Sequence, residues 1–136
     1  MPADKSLRGK ILVVDNDPSI VTLMSAVLQS GGYGVICAGD AASGLSVARA
    51  ERPILIFLDG SAAQRSGATL YSTLRRDPDL HRVPVVMLLD SPSQPRRSGG
   101  PQKRLPPPDA CVTRPLAPYL LLATVSHVLQ ARLSIN

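Results

Sequence analysis

Ile11-Leu12-Val13-Val14-Asp15-Asn16-Asp17-Pro18 is a bare hydrophobic run that ends in clustered acids and a proline. The apolar residues read as a strand buried on both faces. Asp17 reads as the cap of a helix whose first residue is Pro18. A strand that delivers side-chain oxygens at its carboxyl end, beside a helix start, is where open α/β sheets build their sites. Ile54-Leu55-Ile56-Phe57-Leu58 ends the same way, at Asp59. Two such strands, parallel and buried, bring their terminal carboxylates into one acidic pocket.

The 136 residues suffice for one domain with a real core and are too few for two. Hydrophobic content of 44% with 18% charged residues marks a globular chain, not a disordered one. No apolar run approaches the roughly 20 residues that span a bilayer, so no membrane segment is expected. Met1 to Lys10 is polar and lacks the apolar core of a signal peptide, which predicts a cytoplasmic protein. Cys37 and Cys111 make no disulfide framework and fit no zinc spacing; both are expected as small core hydrophobes. The net charge of +5 is compatible with anionic partners and says no more.

Strand-like and helix-like runs alternate, the signature of a parallel α/β sheet. Strands are predicted at Lys10–Val14, Tyr33–Ala38, Ile54–Leu58, Val83–Leu89 and Ala110–Thr113. Helices are predicted at Asp17–Ser30, from Asp40 through Arg52, at Ser66–Arg76 and at Pro115–Leu133. In the first helix Ile20, Leu23, Met24, Val27 and Leu28 are spaced to line one face, and Gly31-Gly32 ends it. Pro53 stops the second. Ser91–Pro108 breaks the rhythm with six prolines, two glycines, Arg96, Arg97, Lys103 and Arg104. That proline density cannot support a helix, so a basic loop is expected where a fourth crossover helix belongs. In the final helix Leu122, Val125, Leu129 and Leu133 form one stripe, and Leu120, Leu121, Thr124 and Val128 a second. One stripe packs on the sheet and the other needs a cover. Either a partner or a second copy of the chain supplies it, or the 91–108 loop folds back over it.

The order of elements, with Asp15, Asp59 and Arg114-Pro115 at the ends of strands one, three and five, resembles the receiver domain of two-component response regulators. Gly67, eight residues beyond Asp59, belongs to the same ordered set. The resemblance spans Lys10 to Leu133, within a single domain of residues 1–136. It implies a flavodoxin-like three-layer sandwich with a five-stranded parallel sheet in the order 2-1-3-4-5, the fourth helix missing or replaced by the proline-rich loop. Cys37 and Cys111 then lie on opposite edge strands, too far apart to bridge. The resemblance also implies phosphoryl transfer from a histidine kinase to Asp59, with Mg²⁺ held by Asp15, Asn16, Asp59 and the backbone carbonyl of Ser61. An Asp attacking a phosphohistidine sets an anion against an anion, so charge must be neutralised before bonds exchange. Mg²⁺ does so with hard oxygen ligands and water.

The chain departs from that pattern at the residues that read phosphate. Asn16 stands at the second acidic position, removing a charge and weakening the metal site; Asp17 is a substitute ligand whose first duty is capping. Arg114 stands where the phosphate-sensing lysine belongs, and its larger forked head is not equivalent at a tight anion site. A salt bridge from Arg114 to Asp59 or Asp15 is one reading of it, phosphate sensing the other. Leu89 replaces the switching Ser or Thr, Cys111 the aromatic that follows it inward, and Ala63 a common proline. These losses describe a divergent receiver, a pseudo-receiver, that works as a phosphorylation-independent protein-interaction module without enzymatic turnover beyond autophosphorylation at Asp59. With no effector region after Asn136, its output is expected to travel through contacts.

Two alternatives stand beside it. One is a working phosphorelay receiver that uses Asp59 with Mg²⁺. The other is a haloacid-dehalogenase-like phosphatase, suggested by Asp15-Asn16-Asp17 but lacking a second acid beside Asp59 and a lysine in the interval 22–102. The basic loop offers charge for nucleic acid or acidic proteins, and Pro106-Pro107-Pro108 for a proline-reading domain. It lacks interleaved aromatics for base stacking, so nucleic acid is not an expected partner and a solvated loop is the plainer reading. His81 and His127 are isolated and receive no chemistry.

Overall fold

The computed structural model describes residues 8–60, 64–89, 107–113 and 117–135. Five strands, β1 (Lys10–Val14), β2 (Gly34–Ala38), β3 (Leu55–Asp59), β4 (Val85–Leu89) and β5 (Ala110–Thr113), form one parallel sheet in the order 2-1-3-4-5. Four helices accompany them among the described residues: α1 (Pro18–Ser30), α2 (Ala41–Glu51), α3 (Gln64–Arg76) and α4 (Pro118–Ile135). No described residue between β4 and β5 is helical, and the proline-rich segment lies outside the described residues up to position 106.

Strand alternation builds two cores. Ile11, Val13, Phe57, Val86, Leu88 and Val112 project to the face covered by α1 and α4. Leu12, Val14, Ile56, Leu58 and Val85 project to the face covered by α2 and α3. β1 and β3 are therefore apolar along their length, as central parallel strands buried on both sides must be.

Helix ends follow from local chemistry. Asp17 Oδ1 accepts the Ser19 N–H at 2.9 Å, and Pro18 occupies the first turn of α1. Gly32 takes φ +95 just beyond α1, where a side chain would be strained. Asp40 Oδ1 accepts the Ser43 N–H at 2.8 Å, and the Ser43 bonds hold this carboxyl below its ordinary pKa of 3.8. Arg52 closes α2 in the left-handed conformation, φ 50, immediately before Pro53. Gly44 lets α2 approach the end of β1: a Cβ there would lie 3.2 Å from Val14 Cγ2 and 3.0 Å from Leu70 Cδ2.

Several sequence expectations need correcting. Leu23 is exposed, so the buried face of α1 is Met24, Val27 and Leu28. In α4 the core stripe is Leu121, Val125 and Val128, with Leu122 and Leu129 packed at its margin. Leu121 and Val128 therefore cannot belong to a surface for a second copy; of that proposed set Leu120 is exposed, and Thr124 is half-buried, its hydroxyl donating to the Leu120 carbonyl. The two stripes are adjacent on the helix and the buried face straddles them, taking Val125 from one and Leu121 and Val128 from the other, because α4 meets both β5 and α1. Cys37 and Cys111 do sit on opposite edge strands but are exposed, not core residues. Cys111 lies on the α2/α3 side of β5, whereas those helices pack chiefly over β2, β1 and β3.

Two polar clusters tie the helices to the sheet. Asp77 follows α3; its Oδ1 accepts the Asp79 and Leu80 N–H groups at 2.7 and 3.1 Å, and its Oδ2 accepts Arg49 of α2 at 2.9 Å. Asp109 precedes β5; its Oδ2 accepts the Val85 N–H at 2.8 Å and Arg75 of α3 at 2.9 Å, and its Oδ1 accepts Arg132 of α4 at 3.2 Å. Arg75 also stacks on Tyr71, whose hydroxyl burial pushes toward a higher pKa.

The Arg49 guanidinium and the turn N–H groups hold Asp77 below its ordinary pKa of 3.8. A depressed carboxylate adds stability above its unfolded pKa and loses it as pH falls through the folded value. The thermal midpoint of Asp77→Asn is expected to lie below that of the wild type at pH 7. The gap should close as the pH is lowered past 3.8, read by circular dichroism melts.

Candidate functional site

The site lies at the carboxyl ends of β1 and β3, where the strand order reverses. Val14 pairs with Leu58, so Asp15 and Asp59 follow at the same level on neighbouring strands. Both are buried, at 4% and 7% exposure. The Asp15 N–H donates to the Ala38 carbonyl at 3.0 Å, which fixes the β1 tip against β2. Its Oδ1 accepts the Asp17 N–H at 2.9 Å, an Asx-type turn that orients the carboxylate toward the start of α1. The sequence assigned Asp17 its cap correctly but missed this bond, although an Asp two residues before a helix cap is a recognisable signal for it.

On β3, the Gly60 N–H donates to the Leu88 carbonyl at 2.9 Å and carries the ladder one step past Asp59. A Cβ at Gly60 would lie 3.5 Å from Leu89 Cδ2 and 3.3 Å from Met87 Sδ. Leu89 is itself buried, at 7% exposure, with its Cδ2 on the side of Gly60 where a Cβ would stand. Asn16 and Asp17 are exposed beside the pocket. Arg114, Ser61 and Ala63 lie outside the described residues.

Two buried carboxylates at adjacent strand tips, beside an amide, form a donor set of oxygen only, which suits a hard divalent cation and no soft metal. Among the described residues no group of three or more His, Cys, Asp or Glu side chains is placed to hold a metal ion, here or elsewhere, so the acid pair would need oxygens from outside that set.

A family model for the response regulator receiver domain matches residues 11–96, more than half of the chain. The chain is a response regulator receiver domain. Over 121 residues it is 32% identical to protein Rrf1 of Nitratidesulfovibrio vulgaris, with 89% of this chain and 83% of Rrf1 covered. The receiver also matches longer DNA-binding response regulators, of which it spans about a third. Among solved structures it superposes on the chemotaxis response regulator CheY4 of Vibrio cholerae with a TM-score of 0.75 and 27% identity, over 88% of this chain and 97% of that one. It shares its fold, at a TM-score of 0.75 and 20% identity, with the receiver domain of the Pseudomonas aeruginosa sensor histidine kinase PA1611, covering 90% of this chain and 98% of that one; that structure holds a magnesium ion in its active-site cleft.

Within the receiver, Asp15 and Asp59 are brought together, and the positions where the resemblance expects a hydroxyl and an aromatic ring hold Leu89 and Cys111. Leu89 has no group to donate to a phosphoryl oxygen, and Cys111 is an exposed thiol where a ring is expected. No helix of the described residues is long and apolar enough to cross a membrane. Leu89 is a packing residue here, so Leu89→Ala is expected to lower stability by about 2–5 kcal/mol, measured by urea denaturation with the wild type alongside.

Proposed function

We propose that this receiver is a phosphorylation-independent protein-interaction module of two-component signalling, cytoplasmic and without turnover of its own beyond phosphoryl acceptance at Asp59. The observation that carries this reading is Leu89, an apolar side chain buried at the end of β4. A phosphoryl group shifts a conformational equilibrium only through contacts that differ between two states. A hydroxyl at position 89 would supply such a contact by moving to the phosphate. A leucine side chain gains nothing from an anion and loses burial if it moves.

Asp15 and Asp59 would hold Mg²⁺, with the Asn16 amide and the Ser61 carbonyl completing the set. The ion supplies positive charge against which an incoming phosphoryl group is neutralised. With Asn16 in place of an acid the site is one charge short, and a histidine kinase meets a poorer acceptor. The phosphorelay alternative keeps Asp59 and Mg²⁺ but needs a relay, and positions 89 and 111 offer none.

Acetyl phosphate with Mg²⁺ tests the reading. Whatever fraction of Asp59 gains a phosphoryl mass, amide hydrogen exchange across β4, β5 and α4 is expected to stay unchanged. A phosphate-dependent change there that disappears in Asp59→Asn would overturn the proposal. Separately, Asn16→Asp is expected to tighten Mg²⁺ binding by about thirtyfold, the ~2 kcal/mol that a unit negative charge contributes against a divalent ion near 4 Å in a water-like medium, measured by calorimetric titration.

A further inference from the structure

Positive charge is segregated along the strand direction. In a parallel sheet every strand begins at one end, and every Lys and Arg whose side chain is described lies at that amino-terminal end. Arg8 and Lys10 open β1, and Arg49 and Arg52 close α2 ahead of β3. Arg75 and Arg76 end α3, Arg82 precedes β4, and Arg132 in the last turns of α4 reaches Asp109 and the Arg82 carbonyl. Asp15, Asp17, Asp40 and Asp59 stand at the opposite end.

Cations at helix C-termini complement the helix dipole, and ion pairs account for part of the set. Lys10 pairs with Glu51, Arg49 with Asp77, and Arg75 and Arg132 with Asp109. Arg52, Arg76 and Arg82 are exposed and form no ion pair among the described residues. Arg8 is exposed and forms no ion pair among the described residues; its guanidinium lies 5.6 Å from the Tyr33 ring. Arg52 holds φ 50, a conformation that glycine adopts without strain. The excess cations follow the strand order from β1 through β3 to β4, a row of roughly 10 Å at the spacing of parallel strands.

We propose that this amino-terminal edge is a docking surface for an acidic protein segment, with Arg8, Arg52, Arg76 and Arg82 as its contacts. Forked guanidinium groups suit carboxylates, which they bind in pairs of hydrogen bonds. Glu51, Asp77, Asp79 and Asp109 are interspersed along the edge. Duplex DNA carries about one charge per 1.7 Å and would meet those acids at close range, whereas side-chain carboxylates on a polypeptide can be spaced to avoid them. The Tyr33 and Tyr71 rings are covered by Arg8 and Arg75 and are not open to stack a base. The surface is at the far end from Asp59, so the proposal stands whether or not that residue is phosphorylated.

Fluorescence anisotropy with a labelled 20-residue polyglutamate peptide at 150 mM salt tests it, beside a 20-base-pair duplex and phosphatidylserine vesicles. The triple variant Arg52→Gln, Arg76→Gln, Arg82→Gln is compared with Ala123→Glu, Ser126→Glu, Gln130→Glu. The second set makes the same change in net charge at exposed positions of α4, and melts confirm that both fold. Polyglutamate binding weakened at least tenfold by the first set and less than threefold by the second is the expected result. Similar weakening by both sets would reduce the effect to net charge and overturn the proposal. So would tighter binding of the duplex or the vesicles than of polyglutamate, or no binding of polyglutamate by the wild type.

Discussion

Parallel pairing of β1 with β3 is the constraint on which the rest of the molecule depends. Val14 is set opposite Leu58, and that single register puts Asp15 beside Asp59. Sliding β3 by one residue would move Asp59 about 3.3 Å along the strand and exchange the faces of Phe57 and its neighbours. Phe57 is fully buried with α1 and α4, while Ile56 and Leu58 are fully buried with α2 and α3. Both cores therefore oppose the slip. The geometry of the acid pair is fixed by hydrophobic packing on two faces, which is why two buried carboxylates can be held side by side at a strand edge.

That constraint was legible because it is written in local patterns. Continuous apolar runs marked β1 and β3, and Asp17-Pro18 and Asp40 marked the helix starts within a residue. The strand order came from the likeness to receivers and agrees with the pairing found. What escaped the sequence depends on contacts distant along the chain. Arg75 meets Asp109 across 34 positions and Arg49 meets Asp77 across 28, and no short motif encodes either pair. The two stripes of α4 look equivalent as periodicity; only the helix's placement against β5 and α1 decides that Leu121 and Val128 face inward and Leu120 outward. The cysteines were misassigned for the same reason, since an edge-strand thiol is buried only where a helix reaches it.

Asp109 shows how an edge strand of four residues is held. Its backbone N–H donates to the Val85 carbonyl and its carboxylate accepts the Val85 N–H, so β4 and β5 are clamped at their start. The same carboxylate gathers Arg75 and Arg132 from helices on opposite faces of the sheet. A partly buried carboxylate that accepts two guanidinium groups and a backbone N–H is fully used structurally, and its arginines are not spare charge. The distinction separates the cations that build the fold from Arg52, Arg76 and Arg82, which do not.

The two ends of the receiver are electrostatically separate. A strand of five residues spans roughly 17 Å, about twice the screening length of 8 Å at physiological salt, and the intervening sheet is packed hydrocarbon without a polar channel among the described core residues. A charge added at Asp59 is therefore felt weakly at Arg52 or Arg82 through the solvent. Mechanical transmission would require an element with two arrangements. The natural carrier is the tip of β4, and there Leu89 is a buried apolar side chain. On the proposed reading, a partner at the basic edge meets the same surface in either state of the acid pocket.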